Sequence, residues 1–330
     1  MKNNKINGLV IFLVTIVVLV FALKDDFLEK LTYLFSFNFG WLLIGFLLVI
    51  LYWLGKALVI YYCTRKFDGN YSFKRSFKLI LDTQFVNAIT PFAVGGQPYQ
   101  IYRFKKQGIS FENGTNIVIQ DFIVYQISLI LLGTIAILVN HFIGIFPPSS
   151  LLKKLVIIGY VINVSVIVVL FAVAFNTKIN KKLLNLFIRI LARLKLVKDR
   201  EEKLKKIDTY ISNFHKGASI LMESKWHFIK IIMINFVSLT LLYLIPYTLI
   251  MGLGIDVNPF IVIITSAYVM LIGSFVPIPG GSGGLEYSFV EFFGYYIIGA
   301  KLSSIMIMWR FITYYFGLIV GAISMNCKEE

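Results

Sequence analysis

Charge is scarce in this chain: 15% of its 330 residues are Asp, Glu, Lys or Arg, against about a quarter in a soluble domain. No hydrophilic block is large enough to form a separate catalytic domain. Cysteine is limited to Cys63 and Cys327. Each follows an apolar run on the side that basic residues mark as cytoplasmic, where thiols stay reduced, which argues against a disulfide. The three histidines, His141, His215 and His227, have no HxxxH or HxxE partner, so they read as interfacial residues and no metal site is expected. A phosphate-binding GxxxxGK[ST] loop is absent too, and with it the expectation of ATP-driven work. No cofactor is expected.

Lys and Arg are also absent from Ile231 to Ala300, although the net charge is +15. The basic residues gather in Lys2–Lys5, Arg65–Lys78, Arg103–Lys106 and Lys178–Lys230. Alternation of basic-rich and basic-poor loops is the signature of membrane insertion, with basic loops inside. That placement argues against a nucleic-acid partner.

What the chain has in plenty is apolar runs of 17 to 25 residues, each long enough to cross a hydrocarbon core of about 30 Å as a helix. Leu9–Leu23 follows Lys2 and Lys5 and precedes Lys24-Asp25-Asp26 without a cleavage signature, as a retained signal anchor does. Phe39–Tyr62 returns inward. Leu79–Tyr102 has Thr90-Pro91, Gly95-Gly96 and Pro98 in its middle and basic residues on both flanks. A segment that begins and ends on one side is re-entrant. As a full span it would put residues 176–228, with thirteen Lys/Arg and five Asp/Glu, outside.

Residues 116–140 then cross outward and 155–175 cross back. Within 176–228, Leu204, Ile207, Ile211, Phe214, Ala218 and Leu221 recur at helical spacing. This stretch reads either as a basic amphipathic helix on anionic lipids or as a loop that merely obeys topology. Residues 229–251 cross outward, and 259–298 break at Pro277-Ile278-Pro279-Gly280-Gly281-Ser282-Gly283-Gly284. The last crossing is 302–325. This path collects 25 basic residues inside and five outside, with Lys56 and Arg310 left within spans.

The fold class expected is therefore an all-α polytopic membrane protein, in one transmembrane domain over 1–330. It has about six full spans, two Gly/Pro-broken re-entrant hairpins and a basic cytoplasmic loop. The order span, span, hairpin, span occurs twice, in 6–140 with its hairpin at 79–102 and in 155–325 with its hairpin at 259–298. The second copy is upside down. Inverted repeats with broken helices at matching positions point to a transport site, because unpaired backbone at membrane depth survives only inside protein or against a polar cavity.

Aligned by eye, Pro91 matches Pro277 and Gly95-Gly96 matches Gly280-Gly281. Helix ends exposed at such breaks offer free N–H groups to anions. Among intramembrane charges, Asp82, Asp121, Glu286, Glu291 and Arg310 are candidates for function. Arg310 lies roughly 13 Å past Lys301 along a helix, able to pair with Glu286 or Glu291 or to hold a phosphate. Lys56 is expected to snorkel and to have no role. Gly317-x-x-x-Gly321 reads as a helix-packing motif.

Thr90-Pro91…Gly95-Gly96, Pro277-x-Pro279-Gly280-Gly281-x-Gly283-x-x-Glu286 and Arg310 resemble the lysylphosphatidylglycerol synthetase transmembrane-region family, also described as flippase-like, over about residues 6 to 325. The resemblance implies a region that moves an aminoacylated phospholipid between leaflets. It also implies a cytosolic transferase domain in long members, which this chain, ending at Glu330, is expected to lack. The expected lipid path comprises Asp82, Asn87, Thr90, Pro91, Gly95, Gly96, Asp121, Pro277, Pro279, Gly280, Gly281, Gly283, Glu286 and Arg310. The expected partners are a phospholipid substrate and anionic lipids at 176–228. Location is the cell membrane, multi-pass, with both termini cytoplasmic. Two rivals stand beside this reading: a phosphatidylglycerol lysyltransferase, which needs lysyl-tRNA and is tied to resistance to cationic antimicrobial peptides, and a non-transporting scaffold for a lipid-modifying partner.

Overall fold

The computed structural model describes residues 27–146, 150–176, 178, 182, 211–220, 223–274, 276 and 278–327. The first expected span, 9–23, lies outside the described residues. So do Pro277 and most of the basic loop. Every regular element among the described residues is helical, and five helical stretches are long and apolar enough to cross a membrane. They are Phe39–Thr64, Phe111–Ile143, Leu152–Ala172, Lys225–Gly252 and Gly299–Asn326, which match the other five expected spans.

Side chains written just ahead of the helices start them. Helix α1 is Phe27–Ser36. Asn38 accepts from the N–H groups of Gly40 and Trp41 to open α2, Phe39–Thr64, and Ser72 opens α3, Phe73–Ala88. A tight 3-10 turn, Pro91–Ala93, then leads to α4, Gly96–Lys106. Ser110 caps α5, Phe111–Ile143, which stops at left-handed Gly144. Helix α6 is Ser150–Phe175. Ser224 caps α7, Lys225–Tyr243, and the span continues past Pro246 as α8, Ile245–Gly252. Asn258 and Pro259 begin α9, Pro259–Gly273; a side-chain cap and a first-turn proline both relieve helix N–H groups that lack partners. A second 3-10 turn, Pro279–Gly281, leads to α10, Gly284–Phe293. The last span runs through α11, Gly299–Arg310, a π-helical turn at Phe311–Tyr315, and α12, Phe316–Asn326.

Both broken segments are antiparallel helical hairpins. In the first, Thr83 meets Gln100 and Asn87 meets Gly96. In the second, Thr265 meets Tyr296 and Gly273 lies against Leu285. Their turns are near copies. Thr90 (φ −115°, ψ 142°) and Ile278 (φ −111°, ψ 144°) precede prolines, and Phe92 (55°, 9°) and Gly280 (65°, 10°) follow them. The N–H of Ala93 bonds Thr90 and that of Val94 bonds Pro91, just as Gly281 bonds Ile278 and Ser282 bonds Pro279.

This pairs Pro91 with Pro279, not with Pro277, and Gly95-Gly96 with Gly283-Gly284. The pairing expected from the sequence is two to three residues off because Pro277-x-Pro279 offers two prolines and only the backbone dihedrals choose. The offset from Pro91 to Pro279 is 188 residues, and it recurs widely. It carries α2 onto Lys225–Gly252, α3 onto α9, α4 onto α10, and α5 onto Gly299–Asn326 to within about two residues at each start.

Packing follows the same offset. Gly133 of α5 lies against Leu271 of α9, and Gly321, its counterpart, against Leu81 and Phe85 of α3. A Cβ on Gly321 would stand 2.6 Å from the Phe85 nitrogen and 2.7 Å from the Leu81 oxygen, and backbone cannot rotate away. The glycine motif is thus the place where α12 touches α3, as small residues allow in membranes. We expect Gly321→Val to separate the two helices and lower the thermal midpoint in detergent by several degrees. Gly144→Ala, at an open site but with φ of 69°, should cost only about 1 kcal/mol.

Of the amphipathic stripe in the basic loop, residues 211–220 are described and helical. Ile211 and Ala218 are buried, and the Asn116 side chain donates to the Phe214 carbonyl. That part of the stripe packs on the start of α5.

Candidate functional site

The two hairpin turns meet each other, and Tyr314 of the π-helical turn joins them. Its hydroxyl donates to the Ala88 carbonyl at the end of α3 (2.9 Å). Its ring occupies the space that a Cβ on Gly280 would need, at a residue whose φ is already +65°. Glycine is required there twice over. In the first turn the equivalent positions are Phe92 and Ala93, held left-handed at φ of 55° and 53°, a conformation costing a residue with a side chain roughly 1–2 kcal/mol.

Beside the turns lies a cavity of about 700 Å³. Its wall takes Lys56 from α2, Asn87 from α3, Phe92 and Ala93 from the first turn, and Gln97 from α4. Asp121 and Gln126 come from α5, Asn163 from α6, Gly280 and Gly281 from the second turn, and Arg310 and Tyr314 from the last span. The side-chain oxygens of Gln97 and Gln126 are buried and accept no hydrogen bond among the described residues.

Arg310 is 5% exposed. Its Nε stands 2.8 Å from Glu286 Oε1, although the N–H is not aimed at the oxygen. Its Nη2 donates to the Ser282 hydroxyl at 3.2 Å, and its guanidinium lies 4.7 Å from the Tyr314 ring centre. The other carboxylate oxygen of Glu286 accepts from the Gly283 N–H at 2.7 Å, closing the N-terminus of α10. The partner is therefore Glu286 and not Glu291.

At the first break side chains take up two of the N–H groups at the helix end. Thr90 Oγ1 accepts from the Gly95 N–H at 3.0 Å and Asn87 Oδ1 from the Gly96 N–H at 2.9 Å. Pro98 has no N–H at all. Thr90 and Asn87 thus close the turn, and a Cβ on Gly96 would overlap Asn87.

Asp121 meets Lys56 at 2.6 Å, both nearly buried. The expectation that Lys56 snorkels is overturned. It sits eight residues before the end of α2, roughly 12 Å by helical rise, and its ammonium turns to Asp121 rather than along the helix. That depth was the signal available in the sequence. Lys56 also lies 5.5 Å over the Tyr125 ring.

Asp82 is 1% exposed but is not on the cavity wall. It accepts from Ser324 Oγ at 2.6 Å and Tyr99 OH at 3.1 Å, with Lys78 at 3.6 Å and Arg103 at 4.0 Å. It ties α3, α4 and α12 together. Sequence reasoning missed Tyr314, Gln97, Gln126, Ser282 and Asn163. An uncharged polar residue in an apolar run was the signal for Gln126 and Asn163; Tyr314 is one helical turn past Arg310.

A family sequence profile described as "Lysylphosphatidylglycerol synthase TM region" matches residues 6–321. The chain is also 25% identical over 298 residues to a UPF0104 membrane protein of Archaeoglobus fulgidus, covering 88% of this chain and 87% of that one. The match spans both hairpins, the first four described spans and the last as far as Gly321. This multi-pass membrane protein belongs to the lysylphosphatidylglycerol synthase transmembrane-region family.

Proposed function

We propose that the protein is a flippase-like carrier that takes the headgroup of a phospholipid, aminoacylated phosphatidylglycerol among the candidates, through the cavity between its two hairpins. The observation that carries this reading is the meeting of two like-built broken hairpins at a cavity with polar side chains set in a largely apolar wall, Arg310 among them. Irregular backbone at membrane depth is tolerated where it lines such a space, and a guanidinium suits a phosphate.

The two halves form an inverted repeat in this reading. Support comes from the 188-residue offset between Pro91 and Pro279, and from the exchange of the Gly133–Leu271 contact for the Gly321–Leu81 contact. Alternating access is then rocking of one half against the other about the turns. Both termini and the basic stretch 176–228 lie on the cytoplasmic side of the cell membrane, the latter near anionic lipids.

The test is a proteoliposome assay with fluorescent phospholipid, whose outer-leaflet signal is quenched chemically. The parent protein should speed equilibration between leaflets. Val166→Trp puts a large side chain into the cavity from α6 and should slow it at least about tenfold, with elution on size exclusion unchanged. Equal rates for Val166→Trp and parent would remove the cavity from the path.

A further inference from the structure

The anion site of the second hairpin already has an occupant from the chain itself. Glu286 holds the two donors that a phosphate would seek: its Oε1 touches Arg310 and its Oε2 takes the Gly283 N–H at the mouth of α10. Yet the grip on Arg310 is imperfect. The Nε–H is not aimed at the carboxylate, and Nη1 makes no hydrogen bond among the described residues, on a side chain 5% exposed that lines the cavity. Arg310, a residue of the cavity wall, therefore keeps donor capacity that the carboxylate does not use.

We infer that Glu286 is a resident stand-in for phosphate and that a lipid phosphodiester binds Arg310 only as Glu286 takes up one proton. This rests on the lipid-carrier reading and adds its coupling. The Glu286–Arg310 pair is neutral as a unit. A phosphodiester arriving beside it adds one negative charge where uncompensated charge is costly. Protonation of the Glu286 carboxylate by one proton from the aqueous side restores neutrality. The guanidinium then turns to the phosphate, and the carboxylic acid keeps an oxygen for the Gly283 N–H. When the phosphate leaves, the proton leaves too.

The neighbouring groups single out Glu286 as the one that titrates. Arg310 from α11 stays charged at any working pH. The π-helical turn brings Tyr314 and Tyr315, and α9 brings Tyr268, which packs on the Phe292 ring rather than on the carboxylate. Phenols lose their protons only in alkali. The first turn brings no ionisable side chain, and Glu291 on α10 does not contact Arg310. Across the cavity, Lys56 and Asp121 neutralise each other.

The experiment is calorimetric titration of detergent-solubilised protein with dihexanoyl phosphatidylglycerol, a short-chain soluble lipid. It is run at pH 6, 7 and 8 in buffers of different ionisation enthalpy, which count protons exchanged. The parent should take up close to one proton per lipid, its affinity falling toward tenfold per pH unit as one-proton linkage requires. Glu286→Gln should bind more tightly, without pH dependence and without proton uptake. Binding by the parent with no proton uptake would overturn the inference, and needs no variant to fold. So would a pH dependence that persists in Glu286→Gln. Failure of both proteins to bind at every pH would remove the phosphate site, and the lipid-carrier reading with it. sn-Glycerol 3-phosphate, which lacks acyl chains, should bind far more weakly. Equal affinity would assign the site to a soluble phosphate ester and overturn the lipid coupling.

Discussion

Arg310→Gln is expected to be the most damaging single change at the cavity. It leaves the Glu286 carboxylate in a half-buried site without its cation, and removing one partner of a buried pair costs roughly 3–5 kcal/mol. The thermal midpoint in detergent should therefore fall. Lipid equilibration in proteoliposomes should slow by roughly ten- to a hundredfold, the worth of one hydrogen bond to a charged group.

The double variant Arg310→Gln, Glu286→Gln separates the two effects. With no charge left at that pair, it should regain most of the midpoint while lipid movement stays slow. If the double variant moves lipid at the parent rate, Arg310 is a structural partner of Glu286 and nothing more. That would return the pair to the sober alternative that the sequence leaves open.

The second large effect lies across the cavity. Lys56→Met leaves Asp121 as a lone buried carboxylate, again at a cost of roughly 3–5 kcal/mol. A snorkelling lysine would lose far less, about 1 kcal/mol or under, as exposed ion pairs do. The size of the drop therefore distinguishes the paired lysine, 2.6 Å from its aspartate, from one that reaches for water. Trp53, buried and stacked on Phe316 three residues before Lys56, reports the unfolding by fluorescence. The companion variant Lys56→Met, Asp121→Leu should recover most of the stability, because replacing a buried pair by apolar side chains is close to neutral. An unchanged midpoint in Lys56→Met alone would show that the pair does not hold the fold together.

The two charged pairs differ from Asp82 in a way that chain order conceals. All of them are single charges in apolar runs, and at that level Asp82, Asp121 and Glu286 look alike. Asp121 and Arg310 reach the cavity. Asp82 turns instead to Ser324, Tyr99, Lys78 and Arg103, and fastens the first hairpin to the last helix. Its partners come from α3 itself, from the returning arm of the hairpin and from 242 residues along the chain. A single carboxylate in a sequence carries no mark of which of these it will meet. The breaks behave likewise. Thr90, Asn87 and the glycines around them announce a turn, and the turn is there. Which of its N–H groups are left for a ligand depended on side-chain rotamers, and Thr90 and Asn87 take those of Gly95 and Gly96.

Local chemistry decided the spans, the hairpins and the starts of the helices. An apolar run of about twenty residues must pair its own backbone in hydrocarbon, and a Ser or Asn at the right place caps the helix that results. These are interactions between near neighbours, so they are written where they act. Tertiary packing decided the register of Pro91 with Pro279, the pairing of Lys56 with Asp121, and the hold of Glu286 on Arg310. Each joins residues far apart in the chain, and such a contact depends on the distance and direction that helix packing creates. The intramembrane charges announced that something polar lies within; packing chose which of them share a cavity.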